Sequence, residues 1–147
     1  MKKKPKSKIV LEFTKIPRIA PQNFPESILD RKPSWRFNML DLNGPWGWLN
    51  IQTKNLVVTI IKKLKDFESM TWGEIERNNQ SHLISLDRIV KKAQDRLRKM
   101  ELDDLEILYS LRLSGKERVW GKRKNEVFDI IWWDPLHEVC PAPKKHT

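Results

Sequence analysis

The longest alternation of apolar and polar positions lies in the last third of the chain. Leu105, Ile107, Tyr109, Leu111 and Leu113 alternate with Glu106, Leu108, Ser110 and Arg112, a period of two that predicts a strand. Ser114-Gly115 permits a turn. Residues 116–122 continue as a second strand, with Arg118 and Trp120 on one face and Glu117 and Val119 on the other. Lys124-Asn125 permits another turn, since Asn tolerates positive φ. Residues 127–133 form a third strand, which Asp134-Pro135 stops because proline donates nothing to a ladder. Short turns between three strands predict an antiparallel meander.

Upstream the period lengthens. Val57, Ile60, Ile61, Leu64 and Phe67 recur at helical spacing and predict an amphipathic helix over 56–67, with Lys62, Lys63 and Lys65 on its other side. Thr71-Trp72-Gly73-Glu74 has the form of a capping box and predicts a short helix over 72–77, followed by a polar loop at Asn78, Asn79 and Gln80. Ile89, Val90, Ala93, Leu97 and Met100 predict a second main helix over 87–100, decorated by Arg88, Lys91, Lys92, Arg96, Arg98 and Lys99. Trp35, Phe37 and Met39 alternate and predict a first strand over 35–42, ended by Asn43-Gly44-Pro45. The two indoles of Trp46-Gly47-Trp48 suit either a loop packed on the core or a stacking platform for bases. The expected class is therefore α+β, with two main helices packed on a small antiparallel sheet that ends in the meander.

Residues 1–33 read differently. Pro5, Pro17, Pro21, Pro25 and Pro33 forbid a long helix, so this stretch is expected to be a basic, proline-rich arm preceding a single domain over 34–147. Its apolar Ile9, Leu11, Phe13, Ile16, Ile19 and Phe24 suggest that it packs across the domain. The net charge of +10 is concentrated there, because residues 1–36 hold ten Lys/Arg against three Asp/Glu. Such a balance attracts polyanions, of which nucleic acid is the commonest, and makes RNA or the ribosome the expected partner. No apolar run approaches the ~20 residues that cross a bilayer, and none follows the N-terminal lysines as a secretory signal would, so a cytoplasmic protein without membrane contact is expected. Cys140 stands alone, which excludes an internal disulfide. One cysteine and three scattered histidines make no zinc site. There is no glycine-rich phosphate loop and no Gly-x-Ser-x-Gly elbow. No cofactor is expected.

The candidate chemistry lies in the meander. A short turn brings Arg112, Lys116 and Arg118 into one cationic patch, and a third strand running back along the second carries His137 toward the Arg118 end of the sheet. Alternative roles are an ion pair from Arg118 to Glu106 or Glu126, and a turn-capping role for His137.

One strand, two helices and then a meander, over about residues 35–138, resembles the RelE/ParE superfamily of bacterial toxins. Arg118-Val119-Trp120 looks like that family's Arg-Val-x-Tyr strand, and His137 looks like the histidine that often follows its last strand. Gly121 stands where the family often has tyrosine. Glu-Arg-Val-Trp-Gly and Trp-Trp-Asp-Pro-x-His are also similar to a group of bacterial proteins. The resemblance implies helices on one face of the sheet and a neighbouring antitoxin protein as partner. Its RelE and YoeB branch implies metal-independent, ribosome-dependent cleavage of messenger RNA, in which a ribose 2′-hydroxyl attacks the adjacent phosphate. In that scheme Arg118 steadies the phosphorane oxygens, His137 is the acid, and Lys116 or Glu117 is the base. Trp120 or Trp133 stacks on a base, and Arg112, Lys122 and Arg123 contact RNA. Two other readings of the same surface are a non-catalytic module that binds RNA or protein, and a ParE-like inhibitor of a topoisomerase.

Overall fold

The computed structural model describes residues 24–141. The predicted meander is present as three strands, Ile107–Ser114, Glu117–Lys124 and Val127–Asp134. They are β3, β4 and β5 of a five-stranded sheet, with Ser34–Arg36 as β1 and His82–Ser85 as β2. The strand order is β1-β5-β4-β3-β2, with β1 parallel to β5 and every other pair antiparallel.

Two strands depart from expectation. The strand expected over 35–42 shrinks to the three residues of β1. Beyond Arg36 the chain leaves the ladder, yet the free edge of β5 is still served: Asp41 N donates to Ile131 O and Trp133 N donates to Trp46 O. The Trp48 indole adds a third bond to Ile131 O at 3.0 Å. β2 falls in a stretch with no strand prediction, because four residues are too few to display a period.

The helix expected over 56–67 begins three residues earlier. It runs as Thr53–Asn55, then a π-wound Leu56–Ile61, then Lys62–Phe67, and is called α2 here after the short α1, Glu26–Leu29. α3 is Trp72–Asn79 and carries the predicted capping box: Glu74 N donates to Thr71 Oγ1 at 3.2 Å, and Thr71 N to Glu74 Oε1 at 2.9 Å. α4 is Lys91–Lys99 and starts later than expected, because Leu86–Arg88 is a 3-10 turn and the Val90 amide is taken by Val139 O. Residues 24–33, assigned above to the arm, join the domain: Ile28 is buried, and Phe24 and Leu29 pack on the core.

The helices flank the sheet instead of sharing a face. Ile60, Leu64 and Phe67 of α2 and Trp72 and Ile75 of α3 pack with Tyr109, Leu111, Val119 and Phe128. Ala93 and Leu97 of α4 pack with Leu108, Trp120, Ile131 and Trp132 on the other face. Both alternating sets of strand residues are therefore buried, so β5 is buried at seven of its eight positions. A strand covered on both faces reads as an apolar run instead of an alternation, and Ile-Ile-Trp-Trp within β5 is such a run. Among the described residues no helix is long and apolar enough to cross a membrane.

Candidate nucleic-acid interface

Register lays the side chains of the α4 face in rows across β3, β4 and β5. Ser110, Trp120 and Trp132 form one row, and Arg112, Arg118 and Asp134 form the next. The first row closes the core: Trp120 and Trp132 have no exposed surface. The second row lies beyond it, beside the β3–β4 turn.

Arg112 and Arg118 are half-buried and directly opposed. Directly opposed side chains have Cβ atoms only ~4.5–5.5 Å apart, and like charges there repel. Both guanidiniums converge on one acceptor. Arg118 Nη1 donates to Gly115 O at 2.7 Å and Arg112 Nε donates to it at 3.2 Å. Gly115 adopts φ +50°, which glycine accepts without strain, and this turn presents the shared carbonyl. Among the described residues neither arginine is in an ion pair, so the expected partners Glu106 and Glu126 do not serve Arg118; Glu126 pairs with Arg31 instead. Burial, then the Arg112 charge, push the Arg118 pKa down, and Asp134 only opposes this.

Asp134 is fully buried and organises the chain that follows. Its carboxylate accepts Glu138 N at 2.7 Å, Val139 N at 2.9 Å and the Trp120 indole N–H at 3.1 Å. The turn so closed holds His137 in the left-handed region, at φ 59°. The cap of this turn is thus Asp134 and not the histidine ring. Burial is the main influence on the His137 pKa and lowers it; Arg118 and Lys116 lower it further, against Asp134. The structure therefore gathers Arg112, Lys116, Arg118 and His137 at one corner, with the imidazole held neutral at neutral pH. His82, opposite Ser110, joins them. Burial lowers its pKa first, with Arg118 and Arg88 adding to the effect and Glu76 opposing it. Sequence reasoning missed His82 because its strand has only four residues.

Other candidates lie elsewhere. Trp120 is a core residue bonded to Asp134, so it offers no face to a base. Arg123 lies on the α3 side, its side chain fully buried and paired with Glu76. The Arg123 guanidinium lies 3.7 Å from the Phe24 ring centroid and 3.9 Å from that of Trp72, which excludes it from RNA contact. Its alternation with Lys122 gave the sequence no sign of this cage. Trp133 is buried on the α2 side, at 8% exposure, and reaches only a cleft wall. Glu117 faces that same cleft, away from Arg118, so it does not act on a phosphate held by Arg118. Lys122 is half-buried and opposes Asp129 in register.

Trp46 packs on Trp132 with ring centroids 5.2 Å apart, and Trp48 is half-buried, so the Trp46-Gly47-Trp48 loop is packed on the core. Behind it, the Asp41 carboxylate accepts two bonds from Arg96, at 2.7 and 2.9 Å, one from Trp132 at 2.7 Å and one from Gly44 N at 3.0 Å. Burial alone would raise the Asp41 pKa, yet these hydrogen bonds and the Arg96 charge hold it below the ordinary carboxylate range. This clamp is a fold element distinct from the cationic corner. Comparison with protein-family models, with curated proteins and with solved structures finds no match.

Proposed function

We propose that this protein binds single-stranded RNA along its phosphodiester backbone, with the Arg112–Arg118 pair as the phosphate fork and Lys116 adding charge. One observation carries the reading: two opposed guanidiniums, neither paired with a carboxylate among the described residues, converge on the Gly115 carbonyl. Opposed like charges cost stability unless an anion answers them. Guanidinium forks match phosphate oxygens two at a time, and being held in advance they lose little entropy on binding. The basic balance of the chain adds long-range attraction.

A second reading, RelE-like cleavage of ribosome-bound messenger RNA, is favoured by the lowered pKa of His137 beside Arg118 and Lys116. A neutral imidazole suits the base better than the acid. In this scheme His137 takes the 2′-hydroxyl proton, O2′ forms its bond to phosphorus, and Arg118 and Arg112 hold the non-bridging oxygens. The bond to O5′ then breaks, and O5′ takes a proton from Lys116 or water, leaving a 2′,3′-cyclic phosphate and a 5′-hydroxyl. An antitoxin partner would cover the same corner.

Fluorescence anisotropy of labelled single-stranded RNA tests the first reading. Affinity should fall with salt, with a slope of about −0.7 per phosphate contacted, and Arg118→Ala should weaken binding and reduce that slope. Salt-independent or absent binding refutes it. Growth arrest on induction, relieved by His137→Ala, together with primer extension on ribosome-bound message, decides whether cleavage follows binding.

A further inference from the structure

The outer face of α2 is apolar where a surface helix is normally polar. Ile60, Leu64 and Phe67 turn into the core, yet Val57, Val58 and Ile61 lie on the solvent side at 51, 57 and 47% exposure. Single exposed aliphatic residues are common on protein surfaces, but neighbours on one element mark interaction sites. These three also weaken the helix, because β-branched side chains lose rotamer freedom there, and half-exposed residues recover little of that by burial. All three fall in the π-wound stretch Leu56–Ile61, and such winding is rare and frequent at functional sites.

Residues four apart on a helix stack in rows. Val57, Ile61 and Lys65 form one row, and Lys54, Val58 and Lys62 form the next. Together the rows place aliphatic side chains at the centre and lysines at both ends. Lys62 is held by Asp66 at 3.1 Å. Lys54 and Lys65 are in no ion pair among the described residues. The face therefore offers an aliphatic centre between two unanswered positive charges.

Those charges discriminate between occupants. A second copy of the chain would bring lysine against lysine: a two-fold axis across the helices sets Lys54 against Lys65, and one along them sets each lysine against itself. Residues 1–23 hold seven Lys/Arg against one Asp/Glu, so they too carry the wrong sign. The complement is an acidic segment with aliphatic residues of its own. A helix meets this geometry, since its ridges fit the groove between two rows spaced by four. The rows lie on the α2 side of the sheet, whereas Arg112 and Arg118 lie on the α4 side, so the two surfaces are filled independently.

We propose that the outer face of α2 binds an acidic amphipathic helix of another protein. The partner seats its aliphatic side chains between the row of Val57 and Ile61 and the row of Val58, and turns Asp or Glu toward Lys54 and Lys65. The aliphatic contact supplies affinity, and the lysines select the partner and its direction. This site goes beyond the RNA-binding reading and does not depend on it.

The experiment selects peptides of about 16 residues, long enough for four helical turns, from a random-sequence display library on the immobilised full chain. Recovered binders should carry Leu, Ile, Val or Met at spacings of three and four, with Asp or Glu one turn outside them. Val58→Ser/Ile61→Ser should weaken these peptides about tenfold or more while the circular dichroism of the chain stays unchanged. Lys54→Glu/Lys65→Glu should reverse the charge preference, so that copies of the same peptides with Lys in place of Asp and Glu bind better. Arg112→Ala/Arg118→Ala should leave that ranking of peptides intact, which separates this face from general attraction to a basic protein. Failure to recover any binder, binders without acidic enrichment, or affinity that survives Val58→Ser/Ile61→Ser overturns the proposal. So does dimerisation in sedimentation, or flotation with phosphatidylglycerol vesicles, where that substitution abolishes it. The first outcome gives the face to a second copy and the second gives it to a membrane.

Discussion

Arg123 and Glu76 form an ion pair whose guanidinium side is wholly buried beneath Phe24 and Trp72. Tyr109 completes the group, its hydroxyl donating to the same Glu76 oxygen at 2.8 Å. Burial, followed by the Glu76 charge, pushes the Tyr109 phenol far above its ordinary pKa. Removing one partner of a buried pair strands the other charge, which costs about 3–5 kcal/mol. Glu76→Ala should lower the unfolding free energy read from urea melts by that measure, Tyr109→Phe by only about 1 kcal/mol. Equal, small losses in both variants would contradict this account.

The Asp41 clamp predicts an acid limb. Its folded pKa lies below the unfolded value of about 3.9, so its contribution is complete above that value and is lost as pH falls through the folded pKa. Unfolding midpoints of the wild type should therefore drop as the pH falls below about 4. Asp41→Asn should be less stable at pH 7, with Arg96 left unpaired, and should show a flatter acid limb.

Asp134 forms no ion pair among the described residues, yet it should matter to stability. Asp134→Ala removes the acceptor for two backbone amides and leaves the Trp120 indole N–H unsatisfied within the core. Each buried polar group left unsatisfied costs about 1–3 kcal/mol. The variant should be destabilised, and amide exchange at Glu138 and Val139 should accelerate. Unchanged exchange there would remove Asp134 from its structural role.

If the corner binds RNA as proposed, its two histidines should make stability and RNA affinity respond to pH with opposite signs. Both folded pKa values are lowered, so the unfolded chain binds more protons and stability falls as pH drops below about 6.5, levelling off beneath the folded values. Protonation adds positive charge beside Arg118, so RNA affinity should rise over the same window. A His82→Gln/His137→Gln variant should flatten both profiles, which parallel melting and anisotropy titrations from pH 5 to 8 would read.

Much of the fold was legible in the chain. The meander, its two turns and the Thr71–Glu74 capping box follow from local chemistry: period-two apolar residues, positive-φ turn residues and a side chain that meets a free amide three residues on. The convergence of Arg112, Lys116 and Arg118 followed too, since a tight turn leaves few places for residues beside it.

Which side chains are buried was a different matter, because burial depends on what covers each face. Nothing local distinguishes Arg118, half-buried beside a turn, from Arg123, five residues on and closed under two rings; α3 and Phe24 make that difference from far away in sequence. Likewise Trp120 and Glu117 could be assigned to opposite faces from their spacing, yet only α4 over one face and α2 beside the other turned the first into core and the second into a cleft wall. Turn and strand preferences act between neighbours and are written in the chain. The packing of helices on both faces of the sheet is a long-range arrangement, and it alone selects which charged groups meet solvent.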